Sequence, residues 1–237
     1  MRNVICLFAA FAVLAVAGTS FAATLSATYG WEDGSGTILG SYGNLANPAN
    51  VSSGSEISAA SVITPSVTPY SGSQMLTFSE DPHDSTPQAY LAYIEGLDAG
   101  DVVTASFYGW DSTPSASPSL RIWGHYAEEG DALSYTGSAS GNTAYTDGNG
   151  WGLVSWSWTI PSGQSALVVE GRPYSSPSTG ATYSTYFIDD ISVEVTGADE
   201  TTTITFAGVE TVVPEPSTIA MMLLAGLGLV GVRRRAG

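Results

Sequence analysis

The sequence runs to 237 residues, with 6 Lys+Arg against 22 Asp+Glu and a formal net charge of −16. None of the bases is lysine, and Arg2, Arg233, Arg234 and Arg235 stand at the two ends, so the middle of the chain sets Arg121 and Arg172 against 21 acids. Such a surface excludes nucleic acid as a partner, because a phosphate backbone is bound by clustered Lys/Arg that displace its counterions; it attracts cations instead.

The first features in chain order are those of an export signal. Met1-Arg2-Asn3 supplies a short basic start, residues 4–17 an apolar run, and Ser20-Phe21-Ala22 small residues at the −3 and −1 positions of a cleavage site, which predicts a signal peptide over 1–22 cut after Ala22. The run is shorter than the ~20 residues that span a bilayer. The single cysteine, Cys6, lies inside it, so the mature domain has no disulfide and is held by packing, with or without a metal.

From residue 23 the pattern is β. Period-2 alternation, or enrichment in β-branched and aromatic residues, marks strands at 24–29, 74–79, 89–94, 102–110, 119–126, 152–160, 166–172, 183–195 and 201–206. No stretch carries a helical period. Gly96-Leu97-Asp98-Ala99-Gly100-Asp101 reads as a tight turn, and the Gly/Ser/Asn-rich stretches 34–61 and 134–151 as long loops. The count predicts an all-β fold: a jelly-roll-type antiparallel β-sandwich over 23–197, long enough to bury its own core. Residues 198–213 read as a last strand or a stalk.

The chain closes on Val213-Pro214-Glu215-Pro216-Ser217-Thr218, an apolar stretch over 219–232, and Arg233-Arg234-Arg235. In that order these features resemble the PEP-CTERM sorting signal of Gram-negative bacteria, here over 214–237. By the positive-inside rule the arginines stay cytoplasmic while the acidic body crosses. The apolar stretch, with Gly226, Gly228 and Gly231, makes a short transmembrane helix and a transient inner-membrane anchor. The prolines keep the preceding backbone extended and open to a protease. The resemblance implies processing near Pro214-Glu215-Pro216 by an exosortase, a membrane cysteine protease, then release or attachment in the cell envelope or exopolysaccharide. A plain C-terminal anchor is the alternative.

Two shorter motifs bracket the β region. Tyr29-Gly30-Trp31-Glu32-Asp33-Gly34 and Tyr186-Phe187-Ile188-Asp189-Asp190-Ile191-Ser192-Val193 resemble the opening and closing motifs of galactose-binding-like carbohydrate-binding modules. In that fold the first and last strands lie close, and acids from both hold a structural calcium. The resemblance therefore implies a calcium ion on Glu32, Asp33, Asp189 and Asp190, a set of hard oxygen donors of the kind Ca²⁺ takes. The other reading of the same acids is that they end strands and discourage edge pairing.

Strand faces locate a candidate ligand site. Alternation in 102–110 leaves Tyr108 and Trp110 opposite the apolar face, and in 119–126 it leaves Arg121, Trp123 and His125. If these strands share a sheet, the five make an outward platform on which a sugar's C–H face stacks while polar groups bind its hydroxyls; otherwise the tryptophans are core. Catalysis has no signature: the histidines are His83 and His125 alone, and neither a Gly-x-Ser-x-Gly elbow nor a His-Glu-x-x-His motif occurs. The reading is an exported, non-enzymatic, calcium-stabilised carbohydrate-binding domain partnered by extracellular polysaccharide. The alternative is a structural matrix or surface protein whose sandwich only packs and spaces.

Overall fold

The computed structural model describes residues 23–59, 62–83, 86–112, 119–144, 146, 148–174 and 183–209. The signal-peptide reading, with Ala22, and the sorting-segment reading, with Pro214, Glu215, Pro216, the membrane helix and Arg233 to Arg235, lie outside them.

Fourteen strands follow in order: β1 (Ala23–Tyr29), β2 (Gly40–Tyr42), β3 (Leu45–Val51), β4 (Gly54–Ala59), β5 (Val62–Val67), β6 (Met75–Glu80), β7 (Gln88–Glu95), β8 (Val102–Asp111), β9 (Ser119–Tyr126), β10 (Gly137–Gly141), β11 (Gly150–Thr159), β12 (Ala166–Tyr174), β13 (Ser184–Ala198) and β14 (Thr203–Phe206). All nine strands read from alternation are present. The two stretches read as loops are not wholly loops, since they hold β2, β3, β4 and β10. β3 and β10 are sheet edges and β2 is three residues long, positions where small polar residues suffice and the alternation signal fades.

Two antiparallel sheets form the sandwich. Sheet A runs β11-β8-β13-β6-β3 with β1 also on β13, and sheet B runs β10-β9-β12-β7-β14 with β2 also on β7. The β4–β5 hairpin lies against the outside of sheet A, where a Cβ at Gly54 would sit 2.4 Å from the Phe187 ring. Residues 198–213 thus include a true strand, β14, in sheet B.

Inward residues of both sheets, among them Leu25, Phe78, Phe107, Ile122, Leu167 and Ile188, fuse into one core. Trp31 and Trp158 belong to it, their indole N–H groups donating to Thr37 O (2.7 Å) and Ser140 O (3.0 Å). Gly171 leaves room for the opposite sheet: a Cβ there would fall 2.7 Å from Ile188 Cδ1.

Each sheet carries a bulge that resets its alternation. In β7, Ala92 pairs with Val169 while Tyr90 pairs with Glu170, so Leu91 is the extra residue. Leu91, Ala92 and Ile94 then join the core, and Tyr90 and Tyr93 both turn to the outer face. In β13, Asp189 pairs with Tyr108 and Ser192 with Ser106, leaving one surplus residue, and Asp190 takes φ 48°. That insertion lets Ile188 and Ile191, three apart, both face inward.

The core position of Trp158 yields a prediction. Trp158→Ala is expected to lower the unfolding free energy by about 3–5 kcal/mol, measured by urea denaturation.

Candidate functional site

The acids at the β13 bulge are held by N–H and O–H donors. Asp189, fully buried, accepts from Ser71 N (3.1 Å) and Asp190 N (2.8 Å), and Ser71 Oγ donates to Asp190 Oδ1 at 3.0 Å. Glu32 takes Ser73 N on both oxygens (2.9 Å), Ser73 Oγ (2.8 Å) and Gln74 N (3.0 Å). These bonds, led by the Gln74 amide, hold the Glu32 carboxyl below its ordinary range. Asp33 turns elsewhere, accepting from Ser35 N (3.0 Å), Ser35 Oγ (2.7 Å) and Tyr29 Oη (3.1 Å). Ser35 Oγ also lies 2.8 Å from Gly208 O, which fastens this turn to the chain just after β14.

Glu32, Asp189 and Asp190 therefore gather on the 70–74 segment and clamp it over the bulge, whereas Asp33 does not join them. Among the described residues no three Asp, Glu, His or Cys side chains stand where they would hold a metal ion. In this structure Glu32, Asp189 and Asp190 accept hydrogen bonds from the loop.

The five residues of the expected platform are divided between the sheets. Tyr108 and Trp110, on β8, stand on the outer face of sheet A; Arg121, Trp123 and His125, on β9, stand on that of sheet B. Consecutive strands here change sheet, so the shared-sheet condition fails. Tyr108 is covered by Tyr70, stacked at 3.6 Å between centroids. Trp110 meets Trp151 edge-on at 5.7 Å, and both pack beside Val67, Met75 and Phe187 under the hairpin.

Sheet B presents a groove of about 540 Å³ lined by Tyr42, Gln88, Tyr90, Leu133, Tyr135, Ser138 and Arg172, within the size range of small-ligand sites. Its floor comes from β7 and β12; its walls are Tyr42 on β2 and Leu133 and Tyr135 on the segment between β9 and β10. Tyr42 (61% exposed), Leu133 (65%) and Tyr135 (65%) keep large apolar faces in solvent.

Glu170, fully buried, organises the floor. Its Oε1 bonds His125 Nδ1, and its Oε2 lies 2.5 Å from Arg172 Nε. Gln88 completes the set, with its amide turned so that Nε2 donates to Glu170 Oε1 (3.2 Å) and Oε1 accepts from Arg172 Nη2 (3.1 Å). His125 Nε2 faces Ser134 O at 3.2 Å. Both ring nitrogens thus meet oxygen atoms, which fixes the plane of the imidazole.

Aromatic rings frame these groups. Tyr90 and Tyr135 lie 4.8 and 5.6 Å from the His125 ring, and the Arg172 guanidinium lies 4.7 Å from the Trp123 ring centroid. Burial, before all else, pushes the Tyr90 phenol up from its ordinary value. Trp123 Nε1 donates to Ser138 Oγ at 3.2 Å.

Sequence reasoning found Trp123, His125 and Arg121 on the right face of β9 but missed Glu170, Gln88, Tyr90, Tyr42 and Tyr135. One signal for Glu170 was available. A lone acid in an otherwise apolar strand, two residues before an arginine on the same face, marks a buried charge that needs a partner.

Residues 212–236 match the PEP-CTERM protein-sorting motif, so the chain carries that sorting signal. Comparison with curated proteins finds no match. Among solved structures, the sandwich is similar to the CBM22-1 xylan-binding domain from Paenibacillus barcinonensis: 16% identity, TM-score 0.44, covering 73% of this chain and 95% of that one. It is also similar to a family 22 carbohydrate-binding module of Clostridium thermocellum, at 15% identity and TM-score 0.35, covering 68% of this chain and 92% of that one.

The clamp at the bulge gives a pH prediction. Burial, outweighing the bonds from Ser71 and Asp190, raises the Asp189 carboxyl from 3.8 to about 6. A folded-state value above the unfolded one means that stability from this group is full below pH ~4 and lost as pH rises through ~6. Asp189→Asn should flatten that fall, on the order of 2–3 kcal/mol, in urea melts from pH 4 to 7. Asp189→Ala is expected to lower Tm equally in calcium and in chelator; a drop confined to calcium would restore a cation at this place.

Proposed function

We propose that this is an exported, envelope-sorted protein whose sandwich is a non-catalytic glycan-binding domain, with the groove on sheet B as its site. The observation that carries the reading is the groove's composition. Exposed aromatic walls stand over a floor whose buried polar groups are fixed by Glu170, and sugars demand that pairing: C–H faces stack on rings while oriented donors and acceptors take the hydroxyls. The groups are positioned before any ligand arrives, so little ordering cost falls on binding.

The sorting motif supports the rest of the reading. The chain crosses the inner membrane, is held briefly by the apolar segment and its arginine cluster, and is processed by an exosortase near Pro214-Glu215-Pro216. The domain then works in the extracellular polysaccharide. A matrix protein that only packs has no need of a preorganised groove.

A polysaccharide binding screen on the purified chain tests this. Tyr42→Ala and Tyr135→Ala are expected to weaken glycan binding about three- to tenfold each with Tm unchanged, because both rings face solvent. Trp110→Ala should do the reverse, lowering Tm and sparing affinity. A folded protein that binds no polysaccharide, or binds equally in all three variants, would overturn the assignment and favour the matrix role.

A further inference from the structure

Two strands close one side of the sandwich: β11 ends sheet A and β10 ends sheet B. They lie together, since Trp158 Nε1 of β11 donates to Ser140 O of β10 at 3.0 Å. Through residues 132–169, which hold both strands, Asp147 is the sole charged residue, whereas residues 23–213 as a whole set 21 acids against two arginines. A body of that charge repels its own copies, and β10 and β11 carry none of it.

β11 is also the sheet edge that lacks protection. An open strand invites pairing unless a bulge, a proline, a charge or sheer shortness blunts it. Among the strands of the two sheets, β3 has Pro48 and a shift in register between Ala46 and Ala49, β10 shifts between Ser138 and Ser140, β1 shifts between Ala23 and Thr24, and β14 and β2 are four and three residues long. β11 has none of these devices. Its ten residues keep one unbroken register on β8, from Gly150 opposite Asp111 to Thr159 opposite Val102, and include neither a charge nor a proline. Asn142 Nδ2 approaches its backbone at Ser155 O, over a long 3.5 Å.

The core is left open along this strand. Val154 and Trp158 are both 3% exposed and belong to the core. Trp156 stands between them on the same inward face, opposite buried Ala105, yet keeps 40% of its surface in solvent. Among the described residues no strand of sheet A lies beyond β11 to cover it. Leu153, on the outer face of the same edge, is exposed as well.

We propose that the missing strand is β11 of a second copy, paired antiparallel about a two-fold axis so that the two A sheets run on as one. An isologous contact asks a surface to match itself, and β11, uncharged along its length, meets its twin with no like charges opposed. Each Trp156 is then covered by the other copy, and each open backbone edge is paired. A two-fold axis perpendicular to sheet A leaves both B sheets on the same side, so the two grooves face one polysaccharide surface and bind it with avidity. That last consequence rests on the groove being the glycan site; the pairing does not.

The test is the mass of the purified full chain in detergent, by sedimentation velocity over a range of concentrations. A dimer is expected. Ser155→Asp and Ser155→Lys each put like charges near the centre of the paired strands and are expected to raise the dimer dissociation constant about tenfold or more, with the far-UV circular dichroism unchanged because Ser155 is exposed. Mixed in equal amounts, the two variants should recover the dimer, Asp meeting Lys across the axis, a result that only self-pairing produces. A monomer at every concentration would overturn the proposal and leave the edge to a strand of another protein. A dimer indifferent to both substitutions would overturn it in favour of association elsewhere on the chain, and a dimer lost in both variants but not recovered by the mixture would overturn the two-fold arrangement.

Discussion

A carboxylate removed from water costs several kcal/mol unless its partners repay the loss, and Glu170 has no solvent exposure. Its two oxygens are divided between His125 and Arg172, with Gln88 spanning the gap. Once those bonds are satisfied, the imidazole plane and the guanidinium plane are fixed. The rings that lie against them, Tyr90, Tyr135 and Trp123, inherit that order. The groove's geometry is therefore a consequence of meeting one buried charge. An apolar residue at position 170 would leave the His125 and Arg172 side chains free to choose other rotamers.

The two bulges do related work on opposite faces. In β7 the insertion at Leu91 places both Tyr90 and Tyr93, three residues apart, on the outer face, where strict alternation would put them on opposite faces. In β13 the insertion at Asp190 falls where β1 ends and β6 begins, and the acids there fasten the 70–74 segment over the discontinuity. A bulge strengthens local twist and leaves backbone groups unpaired. Sheet A covers its interruption with hydrogen bonds, whereas sheet B uses its own to build a surface.

The fold was legible wherever alternation and burial coincide. Strands such as Val102–Asp111 and Ala166–Tyr174 bury one face completely, and their sequences say so. Gly40–Tyr42 and Gly137–Gly141 did not declare themselves because little of them is buried and their partners dictate their pairing. The site was half legible for a topological reason. Faces can be read strand by strand, so Trp123 and His125 were assigned correctly relative to Leu120 and Ile122. Which strands share a sheet is set by long-range pairing, and that separated Tyr108 and Trp110 from them.

The order of strands along the chain bears on how such a protein reaches its destination. β13 lies in the middle of sheet A and pairs with β1, β6 and β8, yet among the described residues it is the last strand but one in chain order. Closing β1 onto β13 spans most of the domain, a non-local contact that cannot form until residue 198 is free, and folds dominated by such contacts assemble slowly. A nascent chain of this topology lacks a complete sheet A for nearly the whole of its synthesis. The sandwich of such a chain closes only once β13 is available to take its place between β8 and β6.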